Sequence, residues 1–210
     1  MRLAEAVAQH TEAVYKRSEL VKGKLAVRRV PLAFSKQGFL ETELYDTLSN
    51  YVDFKHLGKV WAGVSYLIDQ KLDEPTLRSS AITFIKAGRE VETDPDFQFI
   101  VVPPDFAIEF SHQPYSREHE YSLPAADDND ESETYWPRKI ADYQRFGVSL
   151  LWVIDLTKEV VLEYRRGNWK PVTLEGDTVL DVGPLIPGFQ ISVKDLFELN
   201  FHNRFAKFRH

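Results

Sequence analysis

One short segment restricts the fold more than any other: residues 150–154 form an unbroken apolar run. Such a run is typical of a strand that is covered on both faces, as in a sheet flanked by helices. A helix is predicted directly before it, over residues 137–146, with a buried stripe made of Ile140, Tyr143 and Phe146. A buried strand that follows an amphipathic helix favours an α/β fold with a central mixed sheet.

The remaining elements follow from periodicity and turn signals. Helices are predicted over residues 1–17, 39–56 and 194–208. Strands are predicted in a hairpin around Gly23 and in four further runs, 60–68, 81–85, 97–102 and 106–111, before the strand at 150–154 and a terminal hairpin that begins at 160–164. We expect a single domain over 1–210, in which the helices at 39–56 and 137–146 flank the sheet and hairpins lie at its edges.

Charge is distributed unevenly along the chain. Residues 127–133 hold five acids and no base, and these five account for all but one of the net charge of −6. They lie in a polar segment, 112–135, that is predicted to be a long insertion without secondary structure. A solvated surface insertion is the simpler interpretation. The alternative is an autoinhibitory strip that mimics DNA and lies over a basic cleft.

Several classes of protein are excluded or disfavoured. The chain has no cysteine, which excludes disulfides, thiolate zinc sites and a cysteine nucleophile. No apolar run approaches the ~20 residues that span a bilayer, and no signal peptide is recognised, so we expect a cytoplasmic protein without a membrane partner. Phosphate-binding glycine loops and nucleophile-elbow motifs are absent. His112 and His119 match no zinc spacing and are interpreted as solvated loop residues.

Glu109 is the carboxylate of most interest. It lies in the middle of the predicted strand 106–111, where Phe106, Ile108 and Phe110 share one face by period two. An unpaired charge between such neighbours is costly, so a buried Glu109 needs a cation, a metal ion or hydrogen bonds. The pattern alone leaves burial and exposure of this side chain equally open.

Lys139 is the second residue of interest, in the first turn of the helix after the acidic insertion. A lysine there opposes the helix dipole slightly. Composition alone favours a solvated side chain, because lysine is usually exposed.

Five short segments, in order along residues 18–198, resemble the Uma-two family, a group of restriction-endonuclease-like proteins that is expanded in cyanobacteria. The segments that carry the resemblance are Glu19-Leu20-Val21-x-Gly23, Arg78 followed by Thr83-Phe84-Ile85, Pro104 to Ser111, Lys139-x3-Tyr143-x3-Gly147-Val148 followed by Leu151 to Asp155, and Leu185 to Phe189 followed by Leu196-Phe197. Each motif is weak alone, but five in the right order and spacing are hard to obtain by chance.

The resemblance implies a nuclease core of the PD-(D/E)XK superfamily, in which an aspartate and a glutamate hold a divalent metal, usually Mg²⁺, near a lysine. Carried over by position, Glu109 would be the metal-binding glutamate. The strand has no lysine after it, so Lys139 from the helix would position the attacking water or stabilise charge. Glu19 matches a further acidic position of the family site. Mg²⁺ or Mn²⁺ would be the cofactor and DNA the expected partner.

One departure from the family pattern matters most. The position of the expected metal-binding aspartate is Ala81, which has no ligand oxygen. Two further family acids are replaced by Lys22 and Lys24. Loss of a metal-binding carboxylate should cost at least the 10–100-fold that loss of a supporting partner costs.

Three interpretations of the function remain open. The first is an active metal-dependent endonuclease in which a migrated acid, Asp69, Asp73 or Glu90, replaces the missing ligand. The second is a nuclease fold that keeps Glu109 and Lys139 but cleaves weakly or not at all, and binds nucleic acid or a protein. The third is an interaction protein without nucleic acid, which the acidic charge permits.

The predicted C-terminal helix suggests a further surface. Its aromatic residues recur every three or four positions at Phe197, Phe201, Phe205 and Phe208. Packing onto the domain is the simpler interpretation, since such a stripe usually faces a core. The alternative is a homodimer contact, which would suit cleavage of both strands of a duplex.

Overall fold

The computed structural model of the chain describes residues 18–27, 36–69, 75–94, 99–111 and 135–198. Its longest elements are two helices and two strands, and the remaining elements are shorter. In chain order they are β1 (Ser18–Val21), β2 (Lys24–Val27), α1 (Lys36–Phe54), β3 (Gly58–Asp69), β4 (Thr76–Lys86), β5 (Phe106–Ser111), α2 (Tyr135–Phe146), β6 (Leu150–Asp155), β7 (Val160–Arg165), β8 (Asn168–Leu174), β9 (Val179–Asp181), a 3₁₀ turn (Gly183–Leu185), β10 (Gln190–Ser192) and α3 (Val193–Glu198).

Eight strands form one mixed sheet in the order β2-β1-β4-β5-β6-β7-β8, and β3 also pairs with β4. The pair β5–β6 is parallel, whereas the other pairs in this sheet are antiparallel. A parallel pair needs a crossover, and α2 lies in the connection between β5 and β6. The predicted α/β fold with a central mixed sheet is confirmed.

The sheet divides at β4. Strand β3 follows one edge of β4 along its length, from Gly58 opposite Lys86 to Asp69 opposite Thr76. The other edge is therefore shared: β5 pairs with its later part, where Ile82 faces Ile108, and β1 meets its start, where Leu20 faces Leu77. Between these two partners a few backbone groups of β4 face neither strand. They need side chains as hydrogen-bonding partners, because buried backbone groups are rarely left unpaired.

Two apolar cores cover the two faces of the sheet. The larger one packs α1, β9, β10 and α3 against one face, with Leu40, Leu44 and Leu48 of α1 fully buried. The smaller one lies around α2 and contains Trp136, Tyr143 and five other buried residues. Both faces of β5 and β6 are covered, and all six residues of each strand are buried. This explains why residues 150–154 form one apolar run.

Most predicted elements are confirmed, with shifts at their ends. The helices predicted at 39–56 and 137–146 span Lys36–Phe54 and Tyr135–Phe146. The strand predicted at 97–102 is wrong in the part that is described, where Ile100 forms only isolated bridges to Tyr66 and Thr93. Prolines at 103 and 104 follow, and proline cannot donate to a ladder.

Three predictions fall partly or wholly outside the described residues. These are the helix over 1–17, the acidic insertion over 112–135 and the C-terminal helix over 194–208. The last residue of the insertion, Tyr135, is described as the start of α2, and the start of the C-terminal helix is described as part of α3. In that part Phe197 is buried in the larger core. Packing is thus the role of the first aromatic residue in the predicted stripe.

Candidate active site

Helix α2 turns a polar face toward the sheet. Its buried residues are Trp136, Lys139, Asp142 and Tyr143, at the three- and four-residue spacing that places side chains on one face. The predicted stripe is only partly right, because Ile140 is half-buried and Tyr143 is fully buried. Charged residues therefore hold places that an amphipathic pattern assigns to apolar ones.

Lys139 lies at the centre of this face, and 2% of its surface is exposed. Its Nζ is 2.8 Å from Glu19 Oε1 and 3.0 Å from Glu109 Oε2, and it donates to the backbone carbonyl of Ser79 at 2.8 Å. Three strands and one helix thus supply the parts of a single ion-pair cluster. The interpretation of Lys139 as a solvated lysine is wrong, because its carboxylate partners compensate for the cost of burial.

Glu109 is buried on β5, with 2% of its surface exposed. One carboxylate oxygen accepts a hydrogen bond from the Tyr143 hydroxyl, and the other faces Lys139. The sequence pattern left burial and exposure of Glu109 equally open, and the structure shows that the side chain is buried. Both carboxylate oxygens have partners, as a buried charge requires.

Glu19 fills the gap in the sheet beside β4. Its Oε1 accepts a hydrogen bond from the backbone N–H of Ser79 at 3.1 Å, and Lys139 donates a hydrogen bond to the carbonyl of the same residue. The Tyr135 hydroxyl donates to Glu19 Oε2 at 2.9 Å. The cluster thus satisfies the backbone of β4 at the point where β1 and β5 diverge.

Arg78 joins Glu19 to the helix. It is fully buried, and it contacts Glu19 Oε2 through Nη1 at 2.8 Å and Asp142 Oδ2 through Nη2 at 2.7 Å. Asp142 also pairs with Arg145 at 2.6 Å, and the Arg145 side chain is 57% exposed. The cluster therefore runs from the buried gap in the sheet to the surface of α2.

Electrostatics within the cluster follow from this geometry. Burial by itself raises the pKa of Glu19, but the charges of Lys139 and Arg78 outweigh it and bring the pKa down from 4.5 to about 2. Burial, and then the adjacent charge of Glu109, raise the pKa of Tyr143 well above its ordinary value of 10.0. Tyr143 is therefore a neutral donor to Glu109 at physiological pH.

The three site residues predicted from the sequence, Glu109, Lys139 and Glu19, are brought together. Their catalytic roles stay predictions. Of the acids considered as migrated ligands, Glu90 is exposed and follows the end of β4 in the chain. Asp69 is half-buried at the end of β3, and Asp73 lies outside the described residues.

Sequence reasoning missed Arg78, Asp142 and the hydroxyl of Tyr143 as members of the cluster. One signal was present: Tyr135, Lys139, Asp142 and Tyr143 repeat at helical spacing, so any force that buries one of them buries the others. Arg78 gave no periodic signal, since an arginine in a strand is usually a surface residue, but it is one of the residues that carry the family resemblance.

As arranged, the donor set does not fit a divalent metal. Both oxygens of Glu109 are engaged, one of them by an ammonium group. Ala81, which stands at the position of the expected aspartate, is buried among apolar residues of the larger core. Within the described ranges, no three His, Asp or Glu side chains group as ligands of a metal ion. The role of Glu109 as a metal ligand stays a prediction.

Fold and site together define the class: an α/β protein with a nuclease-like core and a buried carboxylate–lysine cluster. Residues 6–194 match the sequence model of the Uma2 family, which is described as "Putative restriction endonuclease". The chain belongs to this family, so the resemblance seen in its motifs is confirmed. Nucleic acid is the substrate class that the family implies.

A solved structure has a similar fold, and this confirms the predicted restriction-endonuclease-like core. It is a crystal structure described as "a putative nuclease belonging to DUF820" from Anabaena variabilis, with 18% sequence identity and a TM-score of 0.63. The similarity covers 86% of this chain and 89% of that chain. The comparison with curated proteins found no match.

Among the helices in the described ranges, none has the length and apolar character needed to cross a bilayer.

Proposed function

We propose that this chain is a DNA-binding member of its nuclease family in which metal-dependent cleavage of phosphodiester bonds is impaired. The observation that carries the proposal is the state of Glu109, whose two oxygens accept from Tyr143 and face Lys139. Ala81 supplies no carboxylate where the family resemblance expects one. Loss of a metal ligand should reduce activity by at least about 10–100-fold.

Binding of nucleic acid is supported by family membership and by local charge. Lys22 and Lys24 are exposed in and beside the β1–β2 turn, at the chain positions that follow Glu19. Exposed lysines that follow Glu19 in the chain favour contact with phosphates, and such contacts do not require a metal.

A second candidate function is an active endonuclease that uses Mg²⁺ or Mn²⁺. One observation favours it: Glu19 and Glu109 contact the same ammonium group, so two carboxylates from different strands already converge. In this candidate Glu19, rather than Asp69, Asp73 or Glu90, takes the place of the missing aspartate. Lys139 would then have to move aside, which separates two buried ion pairs.

Plasmid cleavage separates the two candidates. Supercoiled DNA is incubated with the wild-type chain, Glu109→Gln and Lys170→Met, in Mg²⁺ and in Mn²⁺. Lys170 is exposed on β8 and serves as the control. We expect equal background nicking by all three. Metal-dependent cleavage by the wild type and Lys170→Met that falls 100-fold or more in Glu109→Gln would establish the second candidate instead.

Binding is measured on the same proteins by fluorescence anisotropy with a labelled duplex. We expect wild type and Glu109→Gln to bind in EDTA, with an affinity that decreases as salt increases. An absence of binding at low salt would remove DNA from the proposal.

A further inference from the structure

The surroundings of the Lys139 ammonium resemble those of a bound cation. Its Nζ has three oxygen neighbours from three strands: Glu19 Oε1 at 2.8 Å, Glu109 Oε2 at 3.0 Å and the Ser79 carbonyl at 2.8 Å. An ammonium group has three N–H donors, so these three acceptors can use all of them. The same oxygen types, carboxylate and carbonyl, are the ligands that hard divalent cations prefer.

The distances suit the ammonium group and not a metal. Nitrogen-to-oxygen distances of 2.8 to 3.0 Å are ordinary for charged hydrogen bonds. Mg²⁺ requires oxygens at about 2.0–2.1 Å, so the same oxygens would have to move inward by about 0.7–1 Å each. That movement would separate Glu19 from Arg78 and from the Ser79 amide, which hold it at 2.8 and 3.1 Å.

Charge in the cluster is already balanced. It contains three carboxylates and three cations, namely Glu19, Glu109 and Asp142 with Arg78, Lys139 and Arg145. A divalent ion added to this set would bring two uncompensated charges into a buried site, which is unfavourable at low dielectric. Removal of the lysine charge leaves an excess negative charge between Glu19 and Glu109.

We infer that the Lys139 ammonium is a resident counter-ion that occupies the cation position of this site, so that the pocket is closed without a metal. The inference rests on the proposed function and explains it, since an ammonium group that spends its three donors on the protein does not position water. It also names the ligand class that the pocket takes once the ammonium is absent: a hard divalent cation held by Glu19 and Glu109.

Manganese binding tests the inference without any measurement of cleavage. The full-length wild type, Lys139→Met and the control Lys170→Met are titrated with Mn²⁺ and followed by electron paramagnetic resonance and by thermal unfolding. We expect no Glu109-dependent site in the wild type or in Lys170→Met. Lys139→Met should bind about one Mn²⁺ at least ten-fold more tightly than the wild type, and Mn²⁺ should raise its melting temperature relative to EDTA.

Specificity is checked with the double variant Lys139→Met/Glu109→Gln, which should lose the new site. Lys139→Met that binds Mn²⁺ no better than the wild type would overturn the inference. If Lys139→Met does not fold, the comparison of the wild type with Glu109→Gln decides. The inference is overturned if the wild type binds Mn²⁺ and Glu109→Gln does not. It is supported if the wild type shows no Mn²⁺ binding that depends on Glu109. Mn²⁺ binding by the wild type without DNA cleavage would contradict this inference alone, whereas Glu109-dependent cleavage would contradict the proposed function.

Discussion

Arg78 is the residue whose loss should weaken the folded state most directly. It is fully buried and pairs with both Glu19 and Asp142. Arg78→Met keeps most of the apolar stem but leaves two buried carboxylates with fewer partners, and we expect a loss of about 3–5 kcal/mol in the free energy of unfolding. Urea denaturation measures it.

Two further variants make that test specific. Arg78→Lys should recover only part of the loss, because a single ammonium group cannot span two carboxylates as the guanidinium fork does. Lys170→Met should stay within about 0.5 kcal/mol of the wild type, as is usual for exposed positions. An Arg78→Met variant as stable as Lys170→Met would contradict the energetic importance of the cluster.

Glu19 should make stability depend on pH in the acid range. Its pKa is lowered from 4.5 to about 2 by Lys139 and Arg78, against the effect of burial. A carboxyl group with a lowered pKa stabilises the fold above pH 4.5, and this contribution is lost as pH falls from 4.5 toward 2. The slope is at most about 1.4 kcal/mol per pH unit for one proton.

The comparison of Glu19→Gln with Glu175→Gln isolates this effect. Glu175 is exposed, so its variant should keep the wild-type pH profile of the melting temperature. Glu19→Gln should be less stable above pH 4.5 and should show a flatter profile between pH 4.5 and 2. Identical slopes in the two variants would mean that Glu19 does not carry the acid dependence.

Burial of single residues was the least predictable property at this scale. Glu109 lies in a strand whose other members are apolar except for Ser111, and that pattern suits a covered strand or an edge equally well. Its burial depends on Tyr143 and Lys139, which come from a helix that follows in the chain after 23 residues outside the described ranges. No local pattern contains that information.

At the level of single elements, the start of β3 depends on a glycine. Gly58 has φ of +154°, and a Cβ there would lie 2.2 Å from the carbonyl oxygen of Ile85 and 2.9 Å from the amide nitrogen of Ala87. Both are backbone atoms that cannot easily move. Gly58→Ala should therefore disrupt the β3–β4 pairing where it begins.

Gly176→Ala is the matched control. Gly176 also has positive φ, at +58°, but nothing lies within 4 Å of the position that a Cβ would take. It should show only the backbone strain of a non-glycine residue at positive φ, about 1–2 kcal/mol. Gly58→Ala should cost about 1–3 kcal/mol more, as overpacking does. Equal melting temperatures for the two variants would show that the close approach at Gly58 is relieved without cost.

Elements with strong periodicity were predicted well. Leu40, Leu44 and Leu48 repeat every four residues, and all three are fully buried on α1. The run at 106–111 corresponds to β5 with identical ends. The ends of other elements shifted because pairing with neighbouring strands determines them. Strand β4 begins at Thr76 rather than at 81, because β3 and β1 pair with its first residues, and no local pattern reveals these partners.

The arrangement of the whole molecule rests on long-range pairings. Leu20 opposite Leu77 places β1 beside β4, and this single contact brings Glu19 to Arg78. Hydrophobic pattern predicted a mixed sheet but not its strand order, because many orders bury the same residues. Family resemblance supplied what the pattern could not, by relating Glu19, Glu109 and Lys139 to one site.

Crystals grown with Mn²⁺ would show directly whether the ammonium group or a metal ion holds the cation position. We predict electron density in which Lys139 Nζ stays between Glu19 and Glu109, with no anomalous scattering peak in contact with Glu109. An Mn²⁺ peak bound by Glu109, with the Lys139 side chain displaced from the two carboxylates, would contradict the counter-ion role of Lys139.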